Sequence, residues 1–527
     1  MRSVSQHQFS RVPNVQIQRS SFDRSHGHKT TFDAGYLVPI LVDEALPGDT
    51  YNVKMTGFAR LATPIKPLMD NLFMETFFFA VPYRLIWENW EKFNGESDPV
   101  SGPPLPIVSP TIAMSSIPIG SLPDYFGLPA VTTDQYEASA FPFRAYNLIW
   151  NEWFRDQNLQ AKVTQRKDDG TTGFPESLGD YNLLRRGKRH DYFTSCLPWP
   201  QKGEDITVPL GNYEAEVLPA TENAVPKFGI GGNFNRGLLM QTTVDDVKWS
   251  SIPANPGQAE WVDPALKVDL SQTEGGWTIN QLREAFQMQK MLERDARGGT
   301  RYTEVIRAHF GVTSPDARLQ RPEFLGGGIS RVNIKPVEQT TPQVSEQGTV
   351  QGNLAAYGTA ILNNHGFTKS FTEHCIIIGL VNVRADLTYQ QGINRMWSRK
   401  TRYDYFWPAL AQIGEQAVYQ DEIYFKTADN QERVFGYQER YAEYRYKPSQ
   451  ITGLFRSDAA QSLDVWHLSQ DFETAPTLSE AFIEDNPPID RVIAVQDEPH
   501  FLFDSHFSMK CARPMPLYGV PGNMDRF

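Results

Sequence analysis

Three cysteines in 527 residues are too few, and too far apart, to hold a fold together. Cys196, Cys375 and Cys511 make neither a disulfide framework nor a zinc-ligand spacing, so they are expected to be buried thiols in a reducing compartment. No apolar run reaches the roughly 18 residues that a membrane-spanning helix needs, so no membrane insertion is expected. No charged-then-apolar leader opens the sequence, and secretion is not expected. Internal repeats and coiled-coil heptads are lacking. So are a P-loop, an HExxH helix, paired-cysteine sites and a Ser–His–Asp signature, so no catalytic residue, metal ligand or cofactor is predicted. Positive charge is short overall: 50 Lys and Arg against 62 Asp and Glu leave −12, which argues against a simple nucleic-acid binder.

The residues that are present point to a β-rich chain. A 40% hydrophobic content supports a substantial core, and 12% aromatics with 37 prolines and 38 glycines suggest many strands joined by shaped loops. Charge is unevenly spread. Residues 1–30 carry Arg2, Arg11, Arg19, Arg24 and Lys29 against Asp23 alone. Residues 201–276 carry five Lys/Arg against eleven Asp/Glu. A basic arm and an acidic excursion in one chain suggest two faces with different partners.

Phe32–Val42, Tyr51–Leu61 and Leu72–Val81 read as strands, the last buried on both faces. Leu85–Phe93 reads as a short helix, and residues 94–129 as a long loop. Phe143–Gln157 reads as an aromatic helix of the kind found in cores and subunit interfaces. Arg185, Arg186, Lys188 and Arg189 form a basic cluster that suits either a solvated loop or a phosphate or partner contact. Residues 201–276 read as a long insertion; the glycines in Phe228–Gly237 lack the Lys-Ser/Thr and the strand-to-helix context of a phosphate loop.

Thr278 and Gln281 fit a capping box at the head of a helix with an apolar stripe (Ile279, Leu282, Ala285, Phe286, Met288, Leu292), which Gly298-Gly299 ends. A shorter helix, Thr303–His309, follows. Glu293, Asp295, Glu304 and His309 invite an acid–base reading, but Glu293 and Arg297 are spaced to pair on a helix face and His309 has no second ligand at metal spacing. Ile329–Glu338 returns to strand alternation, residues 339–366 are polar, and Phe371–Ala385 reads as a central strand. Met396–Gly414 sets Arg399, Lys400 and Arg402 beside Trp397, Tyr403, Tyr405, Phe406 and Trp407. This is either a stacking surface for single-stranded nucleic acid or an interface or core loop. Two closing strands are expected, in 489–495 and 500–509.

Five blocks carry a resemblance: Ser21–Ile40, Tyr146–Gln160, Thr278–Gly328, Met396–Leu410 and Phe435–Gly453. Spread from end to end, they make the chain similar to the major capsid proteins of the gokushoviruses, small single-stranded DNA phages of the microvirus family. The resemblance implies a mainly β fold, an eight-stranded antiparallel viral jelly roll with large loop and helical insertions. It implies a homo-oligomeric T=1 icosahedral shell around circular single-stranded DNA, assembled in the host bacterial cytoplasm. Phage scaffolding and DNA pilot proteins and a bacterial surface receptor are the implied partners.

On this reading residues 1–30 are a basic arm, 31–200 the first part of the jelly roll with helical insertions, and 201–276 an acidic insertion protruding at the three-fold axes. Residues 277–328 are a helical block, and 329–527 the second part of the jelly roll and the tail. Nucleic-acid contacts are expected from Arg2, Arg11, Arg19, Arg24, Lys29, Arg399, Lys400 and Arg402. Host attachment is expected from the protrusion around Phe228, Gly231, Asn233, Phe234 and Asn235, and subunit contacts from Trp150, Trp153, Phe154 and Trp407. The competing class is a carbohydrate-binding or carbohydrate-active β-sandwich, which the sequence supports with no convincing pair of carboxylates.

Overall fold

The computed structural model describes residues 18–96, 107–130, 134–169, 176–204, 206, 278–341, 351–425 and 433–518, together with the backbone of seven short strands between 217 and 268. The chain divides into two compact units, Met1–Lys202 with Glu293–Phe527, and Gly203–Leu292.

The first unit is built on eight long strands: β1 (His26–Phe32), β2 (Val38–Ala45), β3 (Thr50–Leu61), β4 (Leu72–Pro82), β5 (Glu323–Glu338), β6 (Leu354–Ser370), β7 (Cys375–Ala385) and β8 (Phe501–Arg513). All their pairings are antiparallel. One sheet runs β1-β8-β3-β6 and the other β5-β4-β7-β2, with Ser20–Asp23 extending the first along β8. β5 joins them: Glu323–Val332 pairs with β4, and Asn333–Glu338 pairs with β6. This is a jelly roll, and its two longest connections are insertions, from β4 to β5 and from β7 to β8.

Alternation places the core. In β3 the odd positions Tyr51, Val53, Met55, Ala59 and Leu61 point inward, where they meet Phe501, Phe503, Phe507 and Met509 of β8 and Met74 and Phe78 of β4. β4 and β7 are buried on both faces. Their other side chains, among them Phe79, Val81, Ile376, Ile378 and Leu380, lie under helix α1 (Phe141–Ile149) and pack with Phe143, Tyr146 and Ile149. That second core is why β7 reads as an unbroken apolar run. β7 is internal, flanked by β4 and β2. α1 continues as a π turn over Trp150–Phe154. It is anchored by Arg144, fully buried, which pairs with Glu176 and donates to the carbonyls of Ile86 (2.9 Å) and Asp168 (2.7 Å).

Several expectations fail for identifiable reasons. Residues 339–366, read as a polar segment, hold most of the 17-residue strand β6. Its inward positions are filled by small residues such as Ala356, Gly358 and Ala360, so the alternation is hard to see. Residues 489–495 form a short 3-10 turn at Ile489–Arg491 instead of a strand. The 85–93 helix is broken at Trp87, whose backbone is extended; its buried indole N–H donates to Asp169 at 2.6 Å. In the 203–292 unit, Lys227–Ile230 and Asn233–Arg236 pair antiparallel, where a loop was expected.

α2 (Ile279–Gly298) opens on the expected box, with the Gln281 N–H donating to Thr278 Oγ1 (3.2 Å) and the Thr278 N–H to Gln281 Oε1 (3.1 Å). It stops where Gly299 takes φ +101°, a conformation that favours glycine. Its apolar stripe is largely open, with Ile279 71% and Phe286 65% exposed. α3 (Tyr302–Phe310) ends at Gly311, also left-handed.

Candidate nucleic-acid interface

The two sheets have different outer faces. That of β5-β4-β7-β2 is covered by the β4–β5 insertion. The outer face of β1-β8-β3-β6 is exposed at every second residue: Asn52, Lys54, Thr56, Phe58 and Arg60 on β3, and Leu502, Asp504, His506, Ser508 and Lys510 on β8. Register makes these one surface. Lys54 lies beside Ser508, Asn52 beside Lys510, and Arg60 between Leu502 and Thr359. Lys29 of β1 sits beside Asp504 and pairs with it at 3.2 Å. On β6, Ile361 neighbours Phe58, and Tyr357 neighbours Lys335 of β5.

Lys54, Arg60 and Lys335 have no ion-pair partner among the described residues, Lys510 lies beside Asp23 without forming a contact pair, and Phe58, Tyr357, Ile361 and Leu502 are exposed between or beside them. Cations spaced along parallel ridges with apolar and aromatic surface among them suit a flexible polyanion with stackable rings. Cations spread over neighbouring strands can contact phosphates without any base-specific geometry. No group of three or more His, Cys, Asp or Glu suited to a metal occurs among the described residues.

The residues picked out in the sequence fall in different places. Arg2 and Arg11 lie outside the described residues. Lys29 is on the sheet face. Arg19 donates to the Gly48 carbonyl at 2.7 Å, and Arg24 grips Asp43 with both terminal nitrogens, at 2.5 and 2.8 Å. These two arginines sit at the end of the sheet and are engaged within the chain.

Arg399, Lys400 and Arg402 belong to the β7–β8 insertion. The Arg399 guanidinium lies 4.1 Å from the Tyr444 ring centre and faces Glu443, while Arg402 lies 4.5 Å over Trp407. Lys400 is exposed, as are Trp397, Tyr403, Tyr405 and Trp407.

Trp150 is 3% exposed and donates its indole N–H to the Arg185 carbonyl at 2.9 Å, so its surface is spent inside the subunit. Trp153 donates to the Pro322 carbonyl at 3.0 Å beneath Arg321, and Phe154 packs edge-on against Phe77. Gly231 lies outside the described residues. So do the side chains of Phe228, Asn233, Phe234 and Asn235, whose backbone alone is described.

The 185–189 cluster is not a solvated loop. Arg186 shares buried Glu75 with Arg384, Arg189 pairs with Asp386 at 2.8 Å, and Lys188 is buried. Burial pushes the Glu75 carboxyl up, and the two arginines outweigh it and hold the carboxyl below its ordinary value.

Sequence reading missed the sheet face. Its signal was present in Tyr51–Leu61, where polar and charged residues alternate with apolar ones. The partners on β5, β6 and β8 come from hundreds of residues away and are joined only by register.

A jelly roll is shared by viral capsid and lectin domains. One bare, basic sheet face and two long insertions point to the first class, a subunit of a viral shell. The chain matches the capsid protein (F protein) family over residues 10–523. It is 46% identical to the capsid protein VP1 of Bdellovibrio phage phiMH2K, over 99% of this chain and 98% of that one. It is 43% identical to capsid protein VP1 of Chlamydia phage 1 and 36% identical to that of Spiroplasma virus 4, again over nearly all of each chain. The chain belongs to this capsid protein family, among the gokushovirus capsid proteins, and is a structural component of a virion. No described helix is long and apolar enough to cross a membrane.

Proposed function

We propose that this subunit closes into a T=1 icosahedral shell around a circular single-stranded DNA genome, with the β1-β8-β3-β6 face turned toward the DNA. The observation that carries the DNA contact is the set of four cations, Lys54, Arg60, Lys335 and Lys510, interleaved with exposed apolar side chains on a sheet face that the 124–127 segment borders beside Arg60. Lys29, Arg2 and Arg11 add positive charge from the arm, while Arg19 and Arg24 hold the arm to the sheet end. The Lys400 region of the β7–β8 insertion, with Trp397 and Trp407, is a surface for a neighbouring subunit or for DNA.

Shell closure uses many modest contacts at once, because each subunit in a closed symmetric assembly is held by several neighbours. Residues 1–30, 31–200, 201–276, 277–328 and 329–527 serve as arm, first half of the roll, protrusion, helical block, and second half with tail. The acidic 201–276 segment projects from the outer surface at the three-fold axes and takes part in host attachment. Its acidity suits an outward position, away from phosphate. Scaffolding and pilot proteins assist closure in the host cytoplasm. Protease nicking within 207–276 of intact particles tests the attachment role: adsorption to host cells should fall while the particle stays closed. Unchanged infectivity after complete nicking would contradict it.

A further inference from the structure

On the covered side of the roll, opposite the bare sheet face, lies an open cavity of about 760 Å³. Seven Arg and Lys residues line it, against two carboxylates, Asp156 and Glu304. Most of these cations have counter-charges within the chain. Arg186 and Arg384 share Glu75, Arg189 has Asp386, Arg297 has Glu415 and Glu439, and Arg301 has Glu304.

Two do not. Arg155 and Lys188 are 6% and 5% exposed and have no ion-pair partner among the described residues. Arg155 donates one terminal N–H to the Gln160 carbonyl at 2.7 Å, and its Nε has no hydrogen-bond partner. Lys188 donates only to neutral acceptors, the Phe482 carbonyl at 2.5 Å and Gln470 Oε1 at 2.8 Å.

The lining carboxylates are already engaged. Glu304 receives the Arg301 guanidinium and backbone N–H, and Asp156 accepts the N–H groups of Asn158 and Leu159. Asp485 and Asp191 reach Lys188 by their fields without pairing with it, and burial pushes the Asp485 carboxyl up. Burial, reinforced by the neighbouring Arg301, depresses the Arg155 guanidinium, and burial pushes the Lys188 ammonium down to about 8.

Buried charge without a counter-charge is costly, and removing one partner of a buried pair is strongly destabilising. Here a counter-charge in direct contact would have a cavity to occupy, open to solvent and large enough for a small ligand. The aromatic wall formed by Phe77, Trp153 and Phe324 keeps water away on one side, which strengthens charge interactions in the cavity.

We propose that this cavity binds a multiply charged oxyanion of the phosphate class, held by Arg155, Lys188 and the guanidinium of Arg301. Arg and Lys supply complementary contacts to such a group, a planar fork and a point charge. The site is independent of the bare sheet face and of what the shell encloses. The chemistry is shared by free phosphate or pyrophosphate and by the phosphate of a nucleotide.

The test is thermal unfolding of the full-length protein in phosphate-free buffer, titrated separately with inorganic phosphate, pyrophosphate and dAMP. A saturable rise in Tm is expected, largest for pyrophosphate if the source is a free anion and for dAMP if it is a nucleotide. Arg155→Met and Lys188→Met should each weaken the apparent Kd by about tenfold or more. Arg155→Lys, which keeps the charge, should restore part of it and guards against misfolding of the methionine variants. Lys92→Met, a surface cation outside the cavity, should change nothing. No saturable shift with any of the three anions overturns the proposal. So does an equal shift in the wild type and in folded Arg155→Met and Lys188→Met proteins.

Discussion

Replacing Lys54, Arg60, Lys335 and Lys510 by glutamine together removes the free positive charge of the bare sheet face without touching its interior. Each side chain points outward, is exposed, and has no ion-pair partner among the described residues. Each replacement should therefore change folding stability by no more than about 0.5 kcal/mol. The effect on DNA should be large and of a particular kind. Each phosphate contact on a single strand contributes about 0.7 to the slope of log K against log salt, so four lost contacts lower the slope by up to about 2.8. Across a fourfold change in salt, from about 50 to 200 mM, that corresponds to roughly 50-fold less sensitivity. Fluorescence anisotropy of a labelled single-stranded oligonucleotide, titrated with full-length protein at several salt concentrations, reads the slope directly. Lys29 is left in place because Asp504 already pairs with it. A folded quadruple variant with an unchanged slope would refute the assignment of this face to DNA. A loss of affinity with the slope unchanged would point to stacking on Phe58 and Tyr357 instead.

Other outcomes follow from the packing. Trp150→Ala should cost about 3–5 kcal/mol of folding stability, because a buried indole and its hydrogen bond to Arg185 are lost; chemical denaturation of the full-length protein measures this, and a cost below about 1 kcal/mol would contradict it. Glu75→Gln should cost about 3–5 kcal/mol by leaving Arg186 and Arg384 buried without their shared carboxylate, and an unchanged Tm would be inconsistent with that role. His365 is held below its ordinary pKa of 6.5 by burial and faces Thr76 Oγ1 at 2.8 Å. The unfolded chain therefore binds the extra proton first. The stability that neutral His365 contributes is present above pH 6.5 and is lost as pH falls from there toward the folded pKa. The difference in unfolding free energy between wild type and His365→Gln should shrink over that interval, and a flat difference would be contrary.

How much of this was legible depends on where the information sits. Tyr51–Leu61, Leu72–Val81 and the closing strand could be read because period-two alternation or a continuous apolar run is local. The Thr278–Gln281 box and the Gly298-Gly299 stop were legible for the same reason, since capping acts over three or four residues. β6 was hidden because Ala356, Gly358 and Ala360 fill its inward positions: at Gly358 the side chains of Ile334 and Leu61 on the flanking strands leave little room, so burial there does not look hydrophobic. The 185–189 cluster shows the converse failure. Four basic residues among five look solvated until Glu75, Asp386 and the Phe482 carbonyl, all distant in sequence, are brought to them. The bare sheet face is the sharpest case: Lys54, Lys335 and Lys510 are anonymous separately and become a surface only through strand register.

The central claim is that this chain builds a closed shell around single-stranded DNA. Its most direct test is electron cryo-microscopy of the protein purified from producing cells, with nuclease-protected DNA assayed in the same fraction. The account predicts uniform T=1 icosahedral particles that protect single-stranded DNA, with the β1-β8-β3-β6 face lining the inside. Closed particles with that face outward, or particles that protect no DNA when isolated from cells replicating the genome, would contradict it.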